Sequence, residues 1–166
     1  MDRSCAGVFL HLALAAKGGR HLAPIRILVA DDHQLVRLGI CRLLSQQPDF
    51  HIVGEASDGV EAITKAKEHQ PDVVVLDITM PQLNGIAATP GIKDVAPHAE
   101  VLIVTDHDSP EFACLAFTAG ARGFIPKSDI TRELAAAVRK VNRGESFLCE
   151  RLKELCSARP PSSSAA

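Results

Sequence analysis

The chain has 166 residues with a hydrophobic share of 46%, which suits one domain with a substantial core and short tails. Its net charge of −2 and its lack of Trp and Tyr argue against a strong electrostatic field for nucleic acid or anionic membrane, and against a base-stacking platform. The five cysteines form no CxxC pair and no metal-ligand spacing with a histidine, which is typical of reduced thiols in a cytoplasmic protein.

The first 24 residues differ in character from the rest. Residues 8–16 are apolar apart from His11, and a basic, Gly-containing linker follows. This run imitates a signal peptide, but Asp2 precedes it and its apolar core is short. It is also too short to span a bilayer. We therefore expect residues 1–24 to be a poorly ordered extension, with no membrane association.

From residue 25 onward, apolar runs alternate with helical patterns. Strands are predicted at 25–30, 50–56, 73–76, 100–105 and 122–126, and helices at 34–45, 59–69, 86–95, 110–119 and 130–143. Pro90 lies inside the third helix and should kink or shorten it. The alternation predicts an α/β protein with a flavodoxin-like, doubly wound, five-stranded parallel sheet. We expect the strand order 2-1-3-4-5, with helices on both faces.

The most informative stretch is the apolar run at 73–76, which ends on Asp77. Pro71 and Pro81 bracket the run closely, and three of its four residues are β-branched, so it is typical of a strand buried on both faces. In an open parallel sheet, ligands bind beyond the carboxyl ends of the strands. Asp77 is therefore placed for chemistry, although taken alone it could simply close a strand.

Polar side chains end three further strands. Asp31 and Asp32 follow the first strand, Thr105 ends the fourth and Lys127 follows the fifth. Three carboxylates at one sheet edge would repel one another unless a cation joins them, and hard oxygen ligands suit Mg²⁺. With a hydroxyl and an ammonium nearby to hold phosphoryl oxygens, the set suits phosphoryl transfer through an aspartyl phosphate. The alternative to this phosphate-binding role is that Lys127 is a solvated lysine and Thr105 simply a hydroxyl at the end of a strand. Three histidines are predicted to be surface residues: His33, His98 and His107.

Five motifs occur in order at the strand ends. They are Val-Ala-Asp-Asp-His at 29–33, Val-Leu-Asp-Ile-Thr-Met-Pro at 75–81, Asn-Gly at 84–85, Val-Thr at 104–105 and Gly-Phe-Ile-Pro-Lys at 123–127. Over about residues 25–144 the chain resembles the receiver domain of bacterial two-component response regulators. The first and last motifs most resemble regulators that carry a helix-turn-helix output domain.

The resemblance implies a phosphorelay signalling role. Asp77 would accept phosphate from a phosphohistidine on a sensor histidine kinase, in a Mg²⁺-dependent reaction. Asp32, Asp77 and the backbone carbonyl of Thr79 would bind the metal directly, and Asp31 would bind it through water. Such a protein is a phosphoacceptor that assists its own phosphotransfer and dephosphorylation, rather than an enzyme acting on separate substrates.

The resemblance also implies a conformational switch on phosphorylation. Thr105 and Lys127 would contact the phosphoryl group, and Phe124 would stand at the aromatic position that moves with Thr105. The chain departs from the family pattern in having Ser128 after the lysine, where Pro is frequent, and Asp106 after Thr105, where a small or apolar residue is usual. These departures, together with Pro90, concern the rate and strength of signalling more than the fold.

Two alternative functions share parts of this pattern. A flavodoxin-type carrier would need a hydroxyl-rich phosphate loop and aromatic residues around its flavin, and a haloacid-dehalogenase-type phosphatase would need a second acid where this chain has Thr79.

Residues 145–166 are expected to form a linker or tail, in which Leu148, Leu152 and Leu155 could line one face of a short helix. The chain would then be a stand-alone receiver or a fragment of a DNA-binding regulator. It should meet a kinase near the helix at 34–45, and itself through a helical face, without binding DNA.

Overall fold

The computed structural model of the protein describes residues 23–158. Most of the predicted extension at the start of the chain and the Pro- and Ser-rich end lie outside the described residues, as does the side chain of Leu155. The strands are β1 (Ile25–Ala30), β2 (Phe50–Ala56), β3 (Val73–Leu76), β4 (Glu100–Thr105), β5 (Gly123–Pro126) and β6 (Phe147–Leu148). The α-helices are α1 (Gln34–Ser45), α2 (Gly59–His69), α3 (Gly85–Val95), α4 (Pro110–Thr118), α5 (Ile130–Asn142) and α6 (Glu150–Ala158), and a 3₁₀ turn covers Lys127–Asp129.

The strands form one parallel sheet in the order β2-β1-β3-β4-β5-β6. The predicted order of the first five strands is confirmed, but the predicted strand count was wrong because β6 adds a sixth strand. Phe147 and Leu148 pair with Gly123 and Phe124 of β5. Two residues are too few to show any alternation of apolar and polar side chains, so this strand leaves no periodic signal in the sequence.

Helices cover both faces of the sheet, as predicted. On one face α1 and α5 bury Ile40, Leu44, Leu134 and Val138 against the strands. On the other face lie α2, α3, α4 and α6. Strand β3 is buried throughout, because Val73 and Val75 point to the first face while Val74 and Leu76 point to the second. The continuous apolar run thus has the two-sided burial that its composition predicted.

Side-chain caps start several of the helices. Asp58, Asn84 and Ser109 each accept a hydrogen bond from a backbone N–H in the first turn of α2, α3 and α4, respectively. Helix α3 continues through Pro90 to Val95, so Pro90 does not shorten this helix, and the kink expected as the alternative stays a prediction. Because Pro90 lies on the exposed side of α3, water can replace the hydrogen bond that its missing N–H removes.

Residues 145–154 pack back onto the domain. Cys149 and Leu152 are almost completely buried in the core that α4 also covers. The short helix expected there is α6, but Leu148 lies on β6 before this helix and not on its face, because its backbone pairs with β5. An ion pair between Arg151 and Asp108 also ties α6 to the loop before α4. None of the helices within residues 23–158 is long and apolar enough to cross a membrane.

Candidate functional site

The carboxyl edge of the sheet holds the polar residues that the sequence singled out. Asp31 and Asp77 each follow a strand, and each continues the sheet's hydrogen bonding by one residue. The Asp31 amide donates to the Ala56 carbonyl at 3.1 Å, and the Asp77 amide donates to the Ala30 carbonyl at 2.9 Å. Because these amides are fixed, both side chains leave the sheet from rigid, buried positions, with exposed fractions of 0% for Asp31 and 3% for Asp77.

Lys127 joins the acids of two strands. Its ammonium nitrogen lies 2.8 Å from Asp31 Oδ2 and 3.1 Å from Asp77 Oδ2, and it reaches Asp106 Oδ2 at 3.7 Å. Burial by itself would lower the pKa of Lys127, but the hydrogen bond and charge of Asp31 and the charge of Asp77 raise that pKa above its ordinary value. Lys127 is therefore positively charged at neutral pH, and it is an ion-pair partner rather than a solvated lysine.

Burial dominates the ionisation of Asp77. Desolvation raises the pKa of Asp77 above its ordinary value, although the charge and hydrogen bond of Lys127 act in the opposite direction. The Asp31 carboxylate adds to the upward shift. Two buried carboxylates thus share one ammonium, which leaves an excess of negative charge at this edge of the sheet.

A divalent cation fits this excess of charge. Asp31, Asp32, His33 and Asp77 can each offer a ligand atom, and the four atoms lie within 4.8 Å of one another. Within residues 23–158, Asp77 Oδ1 is a buried side-chain oxygen without a hydrogen-bond partner, and the contact of the buried Asp31 Oδ2 is its charged contact with Lys127. Buried carboxylate oxygens without donors are costly unless a cation compensates them. Oxygen-rich donor sets of this kind suit Mg²⁺.

Gly85 lets helix α3 begin directly against the site. A Cβ atom at this position would lie 2.0 Å from the Asp77 carbonyl oxygen, which is far inside van der Waals contact. The Gly85 amide donates to the Ile78 carbonyl at 3.0 Å, and Asn84 caps the helix. The Asn-Gly pair of the sequence therefore has a steric role, because only glycine allows the backbone after Asp77 and the start of α3 to approach so closely.

Two of the three predicted surface histidines contact site residues. His33, His98 and His107 are all exposed, as expected. His33 Nδ1, however, lies 2.8 Å from Asp32 Oδ1, and its amide donates to Asp31 Oδ1 at 2.8 Å. Its position beside the Asp-Asp pair was the available signal for these contacts, which the sequence analysis missed.

His107 bridges two loops of the site. One ring nitrogen lies 3.2 Å from the hydroxyl oxygen of Thr79, and the ring stacks on Phe112 with 4.3 Å between ring centroids. The His107 amide also donates to the Thr105 hydroxyl at 3.3 Å. No short-range pattern could reveal the contact with Thr79, because it joins residues 28 positions apart.

Thr105 and Phe124 are both completely buried. Thr105 ends β4 at the same edge as the acids, as its place in the sequence predicted. Phe124 lies on β5 in the part of the core covered by α4 and α6. The aromatic ring therefore occupies an inward position in this structure.

A cavity of about 600 Å³ opens beside the acids, between α1 and α5. His33 and Lys127 line it on the side of the acidic site, and Val36, Ile40 and Ile130 contribute apolar walls. The charged residues of the site are thus continuous with the apolar walls of this cavity. This arrangement can admit a reacting group that is carried on a larger molecule.

Comparisons with known proteins agree with this geometry. Residues 27–139 match the sequence profile of the family described as response regulator receiver domain. The chain is 41% identical over 122 residues to the response regulator protein VraR of Staphylococcus aureus, covering 74% of this chain and 58% of VraR. It is 40% identical over 125 residues to the oxygen regulatory protein NreC of Staphylococcus epidermidis, covering 75% of this chain and 57% of NreC. The chain therefore spans somewhat more than half the length of these relatives.

A solved structure shows the same fold. The crystal structure of a LuxR-family two-component response regulator from Aurantimonas sp. SI85-9A1 has a TM-score of 0.76 and 37% sequence identity to this chain. The alignment covers 80% of this chain and 94% of that one.

Proposed function

The chain belongs to the response regulator receiver domain family and is a phosphoacceptor of two-component signalling, and we propose that Asp77 is the residue that receives the phosphoryl group. The observation that carries the proposal is the buried Asp77 carboxylate, which has one oxygen paired with Lys127 and the other without a donor. Such a carboxylate is held rigidly, and it keeps an oxygen available to a phosphorus atom or a cation. Because the chain belongs to this family, we prefer this function to the flavodoxin-type and phosphatase-type alternatives.

The transfer itself is an in-line displacement. An oxygen of Asp77 attacks the phosphorus of a phosphohistidine on a sensor kinase, the phosphorus–nitrogen bond breaks, and the imidazole leaves with its electron pair. Lys127 already contacts Asp77 and neutralises charge on the incoming phosphoryl oxygens. The Thr105 hydroxyl, buried at the end of the neighbouring strand, supplies a further hydrogen bond to the same oxygens.

The acidic residues would hold Mg²⁺. Asp32, Asp77 and the Thr79 carbonyl are the proposed direct ligands, and Asp31 is the proposed ligand through water. When bound, the ion neutralises negative charge on the phosphoryl oxygens and on the attacking carboxylate. The close spacing of the carboxylates supports this assignment. Asp32→Ala should weaken Mg²⁺ binding, because a direct ligand is lost.

Phosphorylation at this position would act on β4 and β5. Thr105 would move toward the phosphoryl group, and the packing of Phe124 would respond and alter the surface around α4. Amide chemical shifts in β4, α4 and β5 should therefore change when Mg²⁺ and beryllofluoride, a phosphoryl mimic, are added. Unchanged shifts in those elements, with the mimic bound, would contradict this step.

The partners follow from the same role. A sensor histidine kinase or a phosphotransfer protein would present the phosphohistidine, and a second copy of the chain is the other proposed partner. The chain carries no net positive charge for phosphate contacts along DNA, so we expect no operator binding by these residues. A tight operator complex in a gel-shift assay at physiological salt would refute that expectation.

The deciding experiment uses a small acyl phosphate as donor. With Mg²⁺ present, intact-protein mass spectrometry should show one added phosphoryl group that is stable in acid and labile in base. Asp77→Asn should abolish the adduct, whereas Asp94→Asn, which changes an exposed acid on α3, should leave it unchanged. An adduct that persists in Asp77→Asn at the wild-type level would show that another residue accepts the phosphate.

A further inference from the structure

Arg37 on α1 joins the Asp31-Asp32 segment after β1 to strand β2. One guanidinium nitrogen, Nη1, donates to the backbone carbonyl of Asp31 at 2.6 Å. A second nitrogen, Nε, donates to Glu55 Oε2 on β2 at 3.0 Å. The Arg37 side chain is only 17% exposed, so these contacts form in a partly desolvated place where hydrogen bonds to a charged group are strong.

The Asp31 carbonyl belongs to the peptide unit that leads into Asp32. The Asp31 amide is already bonded to β2, and its carboxylate to Lys127 and to the His33 amide. Arg37 adds the remaining constraint, on the carbonyl, and so sets the rotation of the next peptide. Because the peptide is planar, that rotation fixes the positions of the Asp32 nitrogen and Cα, from which the Asp32 side chain extends.

Asp32 depends on this constraint more than its neighbours do. Its side chain is 30% exposed, and in the described part of the chain its carboxylate contacts only the imidazole of His33, which is itself 62% exposed. Contacts of this kind between exposed groups restrict a side chain weakly. We propose that Arg37, anchored by Glu55, is a positioning residue that orients Asp32 toward the divalent cation. This inference rests on the proposed function, in which Asp32 is a metal ligand.

The direction in which Mg²⁺ affinity changes when Arg37 is replaced tests the proposal. A guanidinium close to the acids repels an incoming cation, so removing its charge alone would tighten Mg²⁺ binding. Loss of the positioning contact would do the opposite, because a ligand that must be ordered on binding reduces affinity. The two roles of Arg37 therefore predict changes in opposite directions.

The experiment measures Mg²⁺ affinity by titration calorimetry, with no phosphodonor present. Arg37→Met keeps much of the side-chain volume and removes both contacts, and it should weaken binding about tenfold, as removal of an outer-shell contact to a metal ligand typically does. Arg37→Lys keeps the charge but cannot donate to both partners from a rigid fork, so its affinity should lie between those of Arg37→Met and the wild type. Arg42→Met, on the exposed side of the same helix, is the matched control and should not weaken binding.

Each outcome has a meaning. Equal or tighter binding in Arg37→Met would overturn the proposal, and so would equal weakening in Arg42→Met. If Arg37→Met does not fold, Arg37→Lys decides, because its charge is unchanged and wild-type affinity would then exclude a positioning role. Asp32→Ala tests the proposed metal site independently of the role of Arg37. Unchanged affinity there would remove the proposed metal site itself, whereas weakened binding in Asp32→Ala with normal binding in Arg37→Met would remove only the positioning role.

Discussion

A hydrogen bond of 3.1 Å joins Lys127 to Asp77 across 50 positions of the chain. The same ammonium lies 2.8 Å from Asp31, so a single positive charge compensates two buried carboxylates. Breaking a buried pair by removing one partner is costly, because the remaining charges stay buried without compensation. Lys127 therefore has a structural role that is separate from its proposed contact with the phosphoryl group.

We predict that Lys127→Met destabilises the protein by about 3 kcal/mol in the absence of divalent cations. Mg²⁺ should recover part of the loss and should bind more tightly than in the wild type, since the cation can replace the missing ammonium. Urea denaturation with and without Mg²⁺ measures both effects, with Lys67→Met at an exposed position of α2 as the control. A loss of stability that Mg²⁺ does not reduce would count against this account.

Asp106 lies at the mouth of the site. Its carboxylate is 3.7 Å from the Lys127 ammonium, but its side chain is 80% exposed, so water and salt screen its charge. We predict that Asp106→Ala speeds phosphorylation by a small donor by roughly threefold at low salt, because a charge within about 6 Å repels the anionic donor. Mg²⁺ affinity should fall slightly in the variant, since a nearby negative charge is gone.

The salt dependence provides the control for this effect. The advantage of Asp106→Ala should shrink as ionic strength rises, and Asp106→Asn should behave like Asp106→Ala. Asp94→Ala, which removes an exposed acid from α3, should not change the rate. Wild-type rates for both Asp106 variants at low salt would show that this carboxylate does not influence the reaction.

Glu61, in the first turn of α2, makes the free energy of unfolding depend on pH. A hydrogen bond from Lys65 and further hydrogen bonds from Ser57 lower the pKa of Glu61 from 4.5 to about 2. A carboxyl group with a lowered pKa stabilises the fold when it is ionised, so its contribution is present above pH 4.5 and is lost as pH falls toward 2. We predict that Glu61→Gln costs about 0.5 kcal/mol at pH 7, a small value because the group is partly exposed.

Urea denaturation at pH 7, pH 4 and pH 3 tests this prediction. The difference in the free energy of unfolding between the wild type and Glu61→Gln should decrease steadily over that range. Glu68→Gln, an exposed position on the same helix, should show no comparable trend. A difference that stays constant from pH 7 to pH 3 would mean that ionisation of Glu61 is not its cause.

Leu152 anchors α6 to the core. Its side chain is 0% exposed and packs in the same cluster as Phe124. We predict that Leu152→Ala lowers the free energy of unfolding by about 2–4 kcal/mol, through lost burial and a residual cavity. Glu154→Ala on the exposed side of α6 should change it by less than about 0.5 kcal/mol. A loss below about 1 kcal/mol for Leu152→Ala would show that α6 is only loosely docked.

Elements were predictable from the sequence where burial of the whole element gives its residues a regular apolar pattern. Strand β3 was recognised from its four consecutive apolar residues, and α1 from apolar residues at helical spacing, because burial imposes those patterns on the sequence. Of the kink or shortening expected at Pro90, the shortening did not occur, since an exposed helix face tolerates a missing N–H better than a buried one. Strand β6 could not be predicted because its two residues owe their conformation to the free edge of β5.

The sequence by itself determined which chemical groups end the strands, because a parallel sheet brings the carboxyl ends of all its strands to one edge. It therefore indicated that Asp31, Asp77 and Lys127 would meet. Only the tertiary structure decided how they meet: one ammonium between two buried carboxylates, and Arg37 tied to both the Asp31 carbonyl and Glu55. Those contacts depend on side-chain directions and on distances between strands that are far apart in the chain, and no local pattern of residues records either.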